Sequence, residues 1–290
     1  MTLARIGITG ANGFIGRNLV RHFAARGDRV IAFQRGAVAV PPGVEVRAFT
    51  LPDRFDTADF AGLDALVHGA LVEYGPATPD ADELNREGAR RVLDAARAHG
   101  VRVLFLSTLS AHSDAESHYG RNKLELESRF DPGLDTVLRL GLVLGAGGLF
   151  GGMVETLKRA RVLPLPDGGR QPIQTLWMGD LCEAVANAID RRIPGRFDVA
   201  APPVHTMREL YETVMRALGV RPVLVSVPLP IVQFGVSVLE GLRVPFPIRS
   251  ENVLGLKHLQ AFDTSPSMRA LGIDAPVGLQ EAVRRLLVTH

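Results

Sequence analysis

Apolar residues recur along this chain in two alternating periods, and the alternation lays out most of its architecture. Residues 3–9 (Leu-Ala-Arg-Ile-Gly-Ile-Thr) read as a short buried strand, and Phe14, Ile15, Leu19, Val20 and Phe23 then fall at helical spacing over 14–26, where Gly27 stops the helix. Strands follow at 29–33, 44–49, 64–69 and 101–106, with a helix over 80–99 ended by Gly100. A helical stretch at 119–130 and a strand at 135–140 complete this series. The order predicts an α/β fold, a doubly wound parallel sheet with helices on both faces, whose ligands bind beyond the carboxyl ends of the strands.

From Gly141 the pattern loosens through Gly145–Gly148 and Pro164–Gly169, then returns as strand 173–177, helix 179–190 and strand 196–200. The expected division is a dinucleotide-binding (Rossmann) domain over 1–141, to which the strands near 173–177 and 196–200 return. Residues 142–172 and 202–290 form a smaller, C-terminal substrate lobe. The apolar run 222–240 is broken by Pro228, Pro230, Gln233 and Glu240 before about 20 apolar residues accumulate, so it reads as a strand to Val227 and then a helix, not a membrane span.

The turn Gly10-Ala-Asn12-Gly13-Phe14-Ile15-Gly16 joins the first strand to the first helix. Glycines at this junction let the backbone turn tightly and approach a pyrophosphate, and the helix N-terminus offers it unpaired N–H groups. Gly10, Asn12, Gly13, Phe14, Ile15 and Gly16 are therefore candidate cofactor contacts, and Ala70, at the end of the fourth strand, faces the same edge. An NAD site usually carries an acid about 20 residues further on. Here strand two ends in Gln34-Arg35. A guanidinium can clamp a 2′-phosphate where a carboxylate would repel it, so Arg35 tilts the choice of cofactor to NADP, with NAD as the alternative.

Tyr119 and Lys123 lie four residues apart in a chain with three tyrosines and three lysines. Chance would supply roughly 0.03 such pairs. On a helix the two face the same way. A phenol titrates near 10, and a neighbouring cation favours its phenolate, which makes the pair an acid/base device. The competing reading is a surface helix with a tyrosine ring against a lysine stem.

Composition narrows the class. With 290 residues, 46% hydrophobic, and a formal charge of +2, the chain can bury a large core and shows no basic stripe for nucleic acid. One cysteine, Cys182, excludes an intramolecular disulfide, and the eight histidines show no metal spacing, so no metal site is expected. A strand beginning by residue 3 leaves no room for a leader, and a reducing, cytoplasmic location is the expectation.

Together these motifs resemble the short-chain dehydrogenase/reductase superfamily, in its extended branch of NAD(P)-dependent epimerases, dehydratases and reductases. The resemblance runs through Thr9–Gly16, Asp64–Ala70, Asn85–Gly88, Val103–Thr108, Tyr119/Lys123, Arg139–Gly141 and Trp177–Leu181. It implies that Tyr119 exchanges the proton of a substrate hydroxyl or carbonyl while nicotinamide exchanges the hydride. It further implies that Thr108 hydrogen-bonds the same oxygen, with Ser107 and Ser110 as fallbacks, that Lys123 also holds the nicotinamide ribose, and that Asn85 orders the helix supporting the site. Relatives commonly pair as homodimers. Only 11 positions separate Thr108 from Tyr119, a short loop for a bulky nucleotide-sugar. Interconversion of a secondary alcohol and a ketone is thus the leading expectation. The alternatives are a nucleotide-sugar epimerase or dehydratase using its NAD(P) transiently, and a non-catalytic NAD(P)-binding sensor or assembly subunit. Arg139, Arg170, Trp177 and Arg249 are candidate substrate contacts.

Overall fold

The structure, a computed structural model, describes residues 3–36, 38–74, 78–241, 255 and 259–287. Its strands are β1 (Arg5–Thr9), β2 (Arg29–Gln34), β3 (Glu45–Ala48), β4 (Ala65–His68), β5 (Arg102–Thr108), β6 (Thr136–Leu140), β7 (Leu142–Leu144), β8 (Val162–Pro166), β9 (Pro172–Trp177), β10 (Gly195–Val199), β11 (Ala201–Thr206) and β12 (Val223–Val227). The helices are α1 (Phe14–Arg26), α2 (Ala81–Ala98), α3 (His118–Glu127), α4 (Gly148–Arg159), α5 (Met178–Asp190), α6 (Met207–Leu218) and α7 (Leu229–Gly241), followed by shorter helices at Ser265–Ala270 and Leu279–Leu287. Two units result, one of residues 1–108, 122–139 and 182–197, the other of 109–121, 140–181 and 198–290.

The first unit is built on a seven-stranded sheet of order β10-β6-β5-β4-β1-β2-β3, with β1 parallel to β2 and β4, β4 to β5, and β2 to β3. Alternate strand residues take opposite faces. Ile31, Phe33, Leu66, Val103 and Phe105 join Val92 and Ala96 of α2 and Leu126 of α3 in one buried cluster. Their strand neighbours Ile6, Ile8, Val30, Ala32 and Val67 are equally buried, and α1, with Leu19, Val20 and Phe23 inward, packs on β1 and β2. The fold is doubly wound α/β, as the periodicity predicts.

The second unit holds a three-stranded sheet, β11-β9-β7, and the parallel pair β12-β8. Helix α6 starts at a capping box in which Thr206 and Glu209 satisfy each other's backbone N–H. The apolar run past residue 222 becomes β12 and α7, whose Leu229, Val232 and Val236 cluster together.

One expectation needs correcting. The strand at 195–199 does return to the large sheet, as its edge beside β6, but β9 does not: β11 pairs with it antiparallel and β7 parallel. Residues 109–121 and 140–141 likewise belong to the second unit and not to the expected 1–141 domain. Strand periodicity records burial but not the identity of the partner strand, and β7 and β11 were too short and irregular to announce themselves.

Candidate active site

The glycine turn is closed by contacts that only glycine allows. Gly10 has φ +70°, and a Cβ there would stand 2.9 Å from the backbone nitrogen of Ala70. At Gly16 a Cβ would lie 2.2 Å from the Gly10 carbonyl oxygen, so a side chain at either place would fill the cradle. Helix α1 then begins with no acidic residue in its first turn and no side-chain cap on its N–H groups. This is the donor set a pyrophosphate needs, and the residues present fit a dinucleotide.

Thr9, at the end of β1, organises the neighbouring loop. Its Oγ1 accepts from the N–H of Gly69 and of Ala70, both at 3.2 Å, and lies 2.8 Å from Nδ1 of His68. With both acceptor positions taken, the hydroxyl donates to His68 and places the imidazole proton on Nε2. Burial pushes the His68 pKa down to about 3, with the Lys123 charge adding to the effect. His68 is thus a neutral packing residue, stacked on Phe105 with centroids 5.8 Å apart.

On the other side of the turn, Asn12 Nδ2 donates to the Arg35 carbonyl at 3.1 Å, which joins the end of β2 to the glycine loop and leaves the Arg35 side chain exposed. Gln34, where an acid would sit in an NAD site, instead turns its amide into the protein and donates to the Val38 carbonyl at 3.0 Å.

Helix α3 carries the tyrosine and lysine. Ser117 Oγ accepts from the N–H of Gly120 at 3.1 Å, an N-cap that sets where the helix starts. Gly120 is itself required, because a Cβ would come 2.5 Å from the Ser110 carbonyl oxygen. Tyr119 is partly exposed one turn before Lys123. Lys123 is no surface residue: it is 4% exposed, its Nζ donates to the Leu106 carbonyl at 2.7 Å and rests 4.4 Å from the centre of the Phe105 ring. Burial lowers its pKa to about 8, against an opposing pull from Glu127.

Of the hydroxyls near the end of β5, Ser107 is committed elsewhere, donating to the buried Glu127 carboxylate at 2.6 Å. Thr108 is the last residue of the strand and partly exposed. Asn85 braces the segment after β4: its Oδ1 accepts from Val72 N–H at 2.8 Å and its Nδ2 donates to the Val72 carbonyl at 3.0 Å. Arg139 and Trp177 have structural partners, Glu127 for the first and Arg285, 4.7 Å over the indole ring, for the second. Arg170 lines an open cavity of about 400 Å³ with Gly168, Thr206 and Arg208, whereas Arg249 lies outside the described residues.

The first unit therefore gathers Gly10–Gly16, Arg35, Ala70, Thr108 and Lys123 at the carboxyl ends of β2, β1, β4 and β5, neighbours in that order. Sequence reasoning missed Thr9, Ser117 and Glu127. Ser117 preceding Gly120 by three is a capping signal that was there to be read; Glu127, four residues beyond Lys123, continues the same helix stripe.

Residues 6–132 match the NAD dependent epimerase/dehydratase family. The chain is 26% identical over 277 residues to NADH dehydrogenase (ubiquinone) 1 alpha subcomplex subunit 9, mitochondrial, of Arabidopsis thaliana, a match covering 89% of this chain and 69% of that protein. It is also 26% identical over 328 residues to 2-alkyl-3-oxoalkanoate reductase of Stenotrophomonas maltophilia, covering 97% and 98%. Among solved structures it is similar to the Bordetella bronchiseptica enzyme WbmG in complex with NAD and UDP, with TM-score 0.73 and 20% identity over 99% of this chain and 94% of that one. No described helix is long and apolar enough to cross a membrane.

Proposed function

We propose, from the match of residues 6–132 to the NAD dependent epimerase/dehydratase family, that this chain is an oxidoreductase interconverting a secondary alcohol and a ketone, with Tyr119 as acid/base and NADP as the preferred cofactor. NAD or NADP as the cofactor is supported by the family match and by a relative named for its use of NAD(P)(+). The observation that carries the reading is Lys123: a buried ammonium, held on the Leu106 carbonyl, one helical turn from Tyr119.

Gly10, Asn12, Gly13, Phe14, Ile15 and Gly16 would cradle the pyrophosphate, Ala70 would back the turn, and Arg35 would receive the 2′-phosphate. When bound, the nicotinamide would supply or take up the hydride. Tyr119 Oη gives its proton to the substrate oxygen in reduction and withdraws it in oxidation, helped by the positive charge one turn away. Thr108 Oγ1 donates to the same oxygen, a role for which Ser107 is unsuited because its hydroxyl is engaged by Glu127. Lys123 would hold the ribose with the N–H groups that Leu106 leaves over.

Net reduction is favoured over transient redox chemistry by the short Thr108–Tyr119 connection and by the end-to-end similarity to a reductase. The similarity to a subunit of an NADH dehydrogenase supports a rival reading, a nucleotide-binding subunit without turnover. Retention of both Tyr119 and a buried Lys123 argues for chemistry. Steady-state kinetics with NADPH and NADH against panels of ketones and nucleotide-sugars test this. Tyr119→Phe should lower kcat by about 10²–10⁴ while NADPH binding changes little. Unchanged turnover in that variant would remove Tyr119 from the reaction, and tight NADPH binding with no turnover on any panel would favour the rival.

A further inference from the structure

Glu127 has no part in the reaction outlined above, yet it is the most densely partnered carboxylate beside Lys123. Its side chain is fully buried, at 0% exposure. Arg139 grips both oxygens, through Nε at 2.9 and 3.0 Å and through Nη2 at 2.7 Å to Oε2, while Arg196 adds its Nε at 3.2 Å. Two guanidinium groups already compensate one buried charge. The Ser107 hydroxyl at 2.6 Å is therefore surplus to neutralisation, and what it adds is a connection.

That connection repeats one already described. Leu106 and Ser107 are consecutive at the end of β5, and their partners on α3, Lys123 and Glu127, are one helical turn apart. Strand and helix are bolted at two successive points, immediately before Thr108 on the strand and one and two turns after Tyr119 on the helix.

We propose that Glu127 is a positioning residue for the reaction, fixing the end of β5 against α3 so that Thr108 and Lys123 keep their places, and setting a negative charge one helical turn from the Lys123 amine. This rests on the reading of Tyr119, Lys123 and Thr108 as the reacting set. The charged and titratable groups around Lys123 are Tyr119 and Glu127, each one turn away on its own helix, His68 of β4, which is neutral, and, beyond the carboxylate, Arg139 of β6 and Arg196 of β10. Burial lowers the Lys123 pKa and the Glu127 charge raises it. Loss of that carboxylate removes this opposition and leaves the Leu106 carbonyl and the Phe105 ring to hold the ammonium.

Two variants separate the two parts of the role. Glu127→Gln removes the charge and keeps an oxygen for Ser107; Ser107→Ala removes the bolt and keeps the charge. Lys123 is one of three lysines, so NMR of ε-13C-labelled lysine follows its titration directly, without turnover. In Glu127→Gln the Lys123 titration should move to lower pH by about half a unit or more, and the alkaline limb of kcat should move with it. In Ser107→Ala that titration should stay in place while kcat falls about 10- to 100-fold, the scale of a slightly misplaced reacting group, with NADPH binding nearly kept and Ser107→Thr restoring the rate. An unmoved Lys123 titration in folded Glu127→Gln would overturn the electrostatic part, and wild-type kcat in Ser107→Ala the positional part. Should Glu127→Gln fail to fold, Arg196→Gln, which removes a competing cation at a half-exposed site, should move the titration upward; no movement would count against the proposal. Because the NMR readings need no substrate, they stand even if no turnover is found, which would instead defeat the enzymatic reading.

Discussion

The ammonium of Lys123 donates to the Leu106 carbonyl at 2.7 Å from a position 4% exposed, so a charge is held inside the protein by one backbone oxygen and an aromatic face. Nothing about folding requires a cation there.

It follows that Lys123→Met should stabilise the protein while abolishing turnover. The folded pKa of about 8 lies below the ordinary 10.5, so between those values the unfolded chain binds a proton that the folded one does not, and stability rises with pH across that window. Below pH 8 the penalty is present in full, on the order of 3 kcal/mol before the lost hydrogen bond is deducted. Urea unfolding at pH 7 should show a gain of about 1–2 kcal/mol that shrinks towards pH 10. A variant less stable than wild type at pH 7 would mean that the ammonium is better solvated than its burial implies.

His68 makes the opposite region of the pH scale informative. Its folded pKa of about 3 is below the unfolded 6.5, so its contribution is complete above pH 6.5 and is lost as pH falls towards 3, where the unfolded imidazole binds a proton and the buried one does not. Denaturation of His68→Asn between pH 4 and 7 should show a slope smaller by about one proton than that of wild type. Parallel slopes would place the imidazole in contact with water.

Gly16→Ala tests the cradle. A methyl 2.2 Å from the Gly10 carbonyl oxygen can be housed only by moving backbone. The expected outcome is a loss of about 1–3 kcal/mol in stability and of at least about tenfold in NADPH affinity by fluorescence titration. Tight binding in this variant would move the pyrophosphate away from the turn.

Arg35→Asp tests the choice of cofactor. The guanidinium is exposed and borne on a backbone tied to Asn12. Replacing it with a carboxylate should weaken NADPH binding by about 10- to 100-fold and change NADH binding little, so the ratio of the two constants is the readout. Equal weakening of both would make Arg35 a structural residue.

Much of this was legible in the linear order of residues. Glycine spacing located the cradle, helical periodicity brought Tyr119 and Lys123 onto one face, and alternating burial outlined the sheet, because each is a local property of neighbours in the chain. Histidine 68 is instructive: its place at a strand end was readable, but its neutrality depends on Thr9 and Phe105, one 59 residues away.

The sequence by itself determined an α/β nucleotide-binding chain with a tyrosine and a lysine one turn apart, since backbone period and turn chemistry are encoded over a few residues. Tertiary structure alone decided that β9 would join β7 and β11 and leave the large sheet, that Lys123 would be buried, and that Ser107, Arg139 and Arg196 would meet around the Glu127 carboxylate. Those outcomes depend on which distant segments exclude water from each other, and a carboxylate acquires its strongest partners only after that exclusion has made leaving it alone too costly.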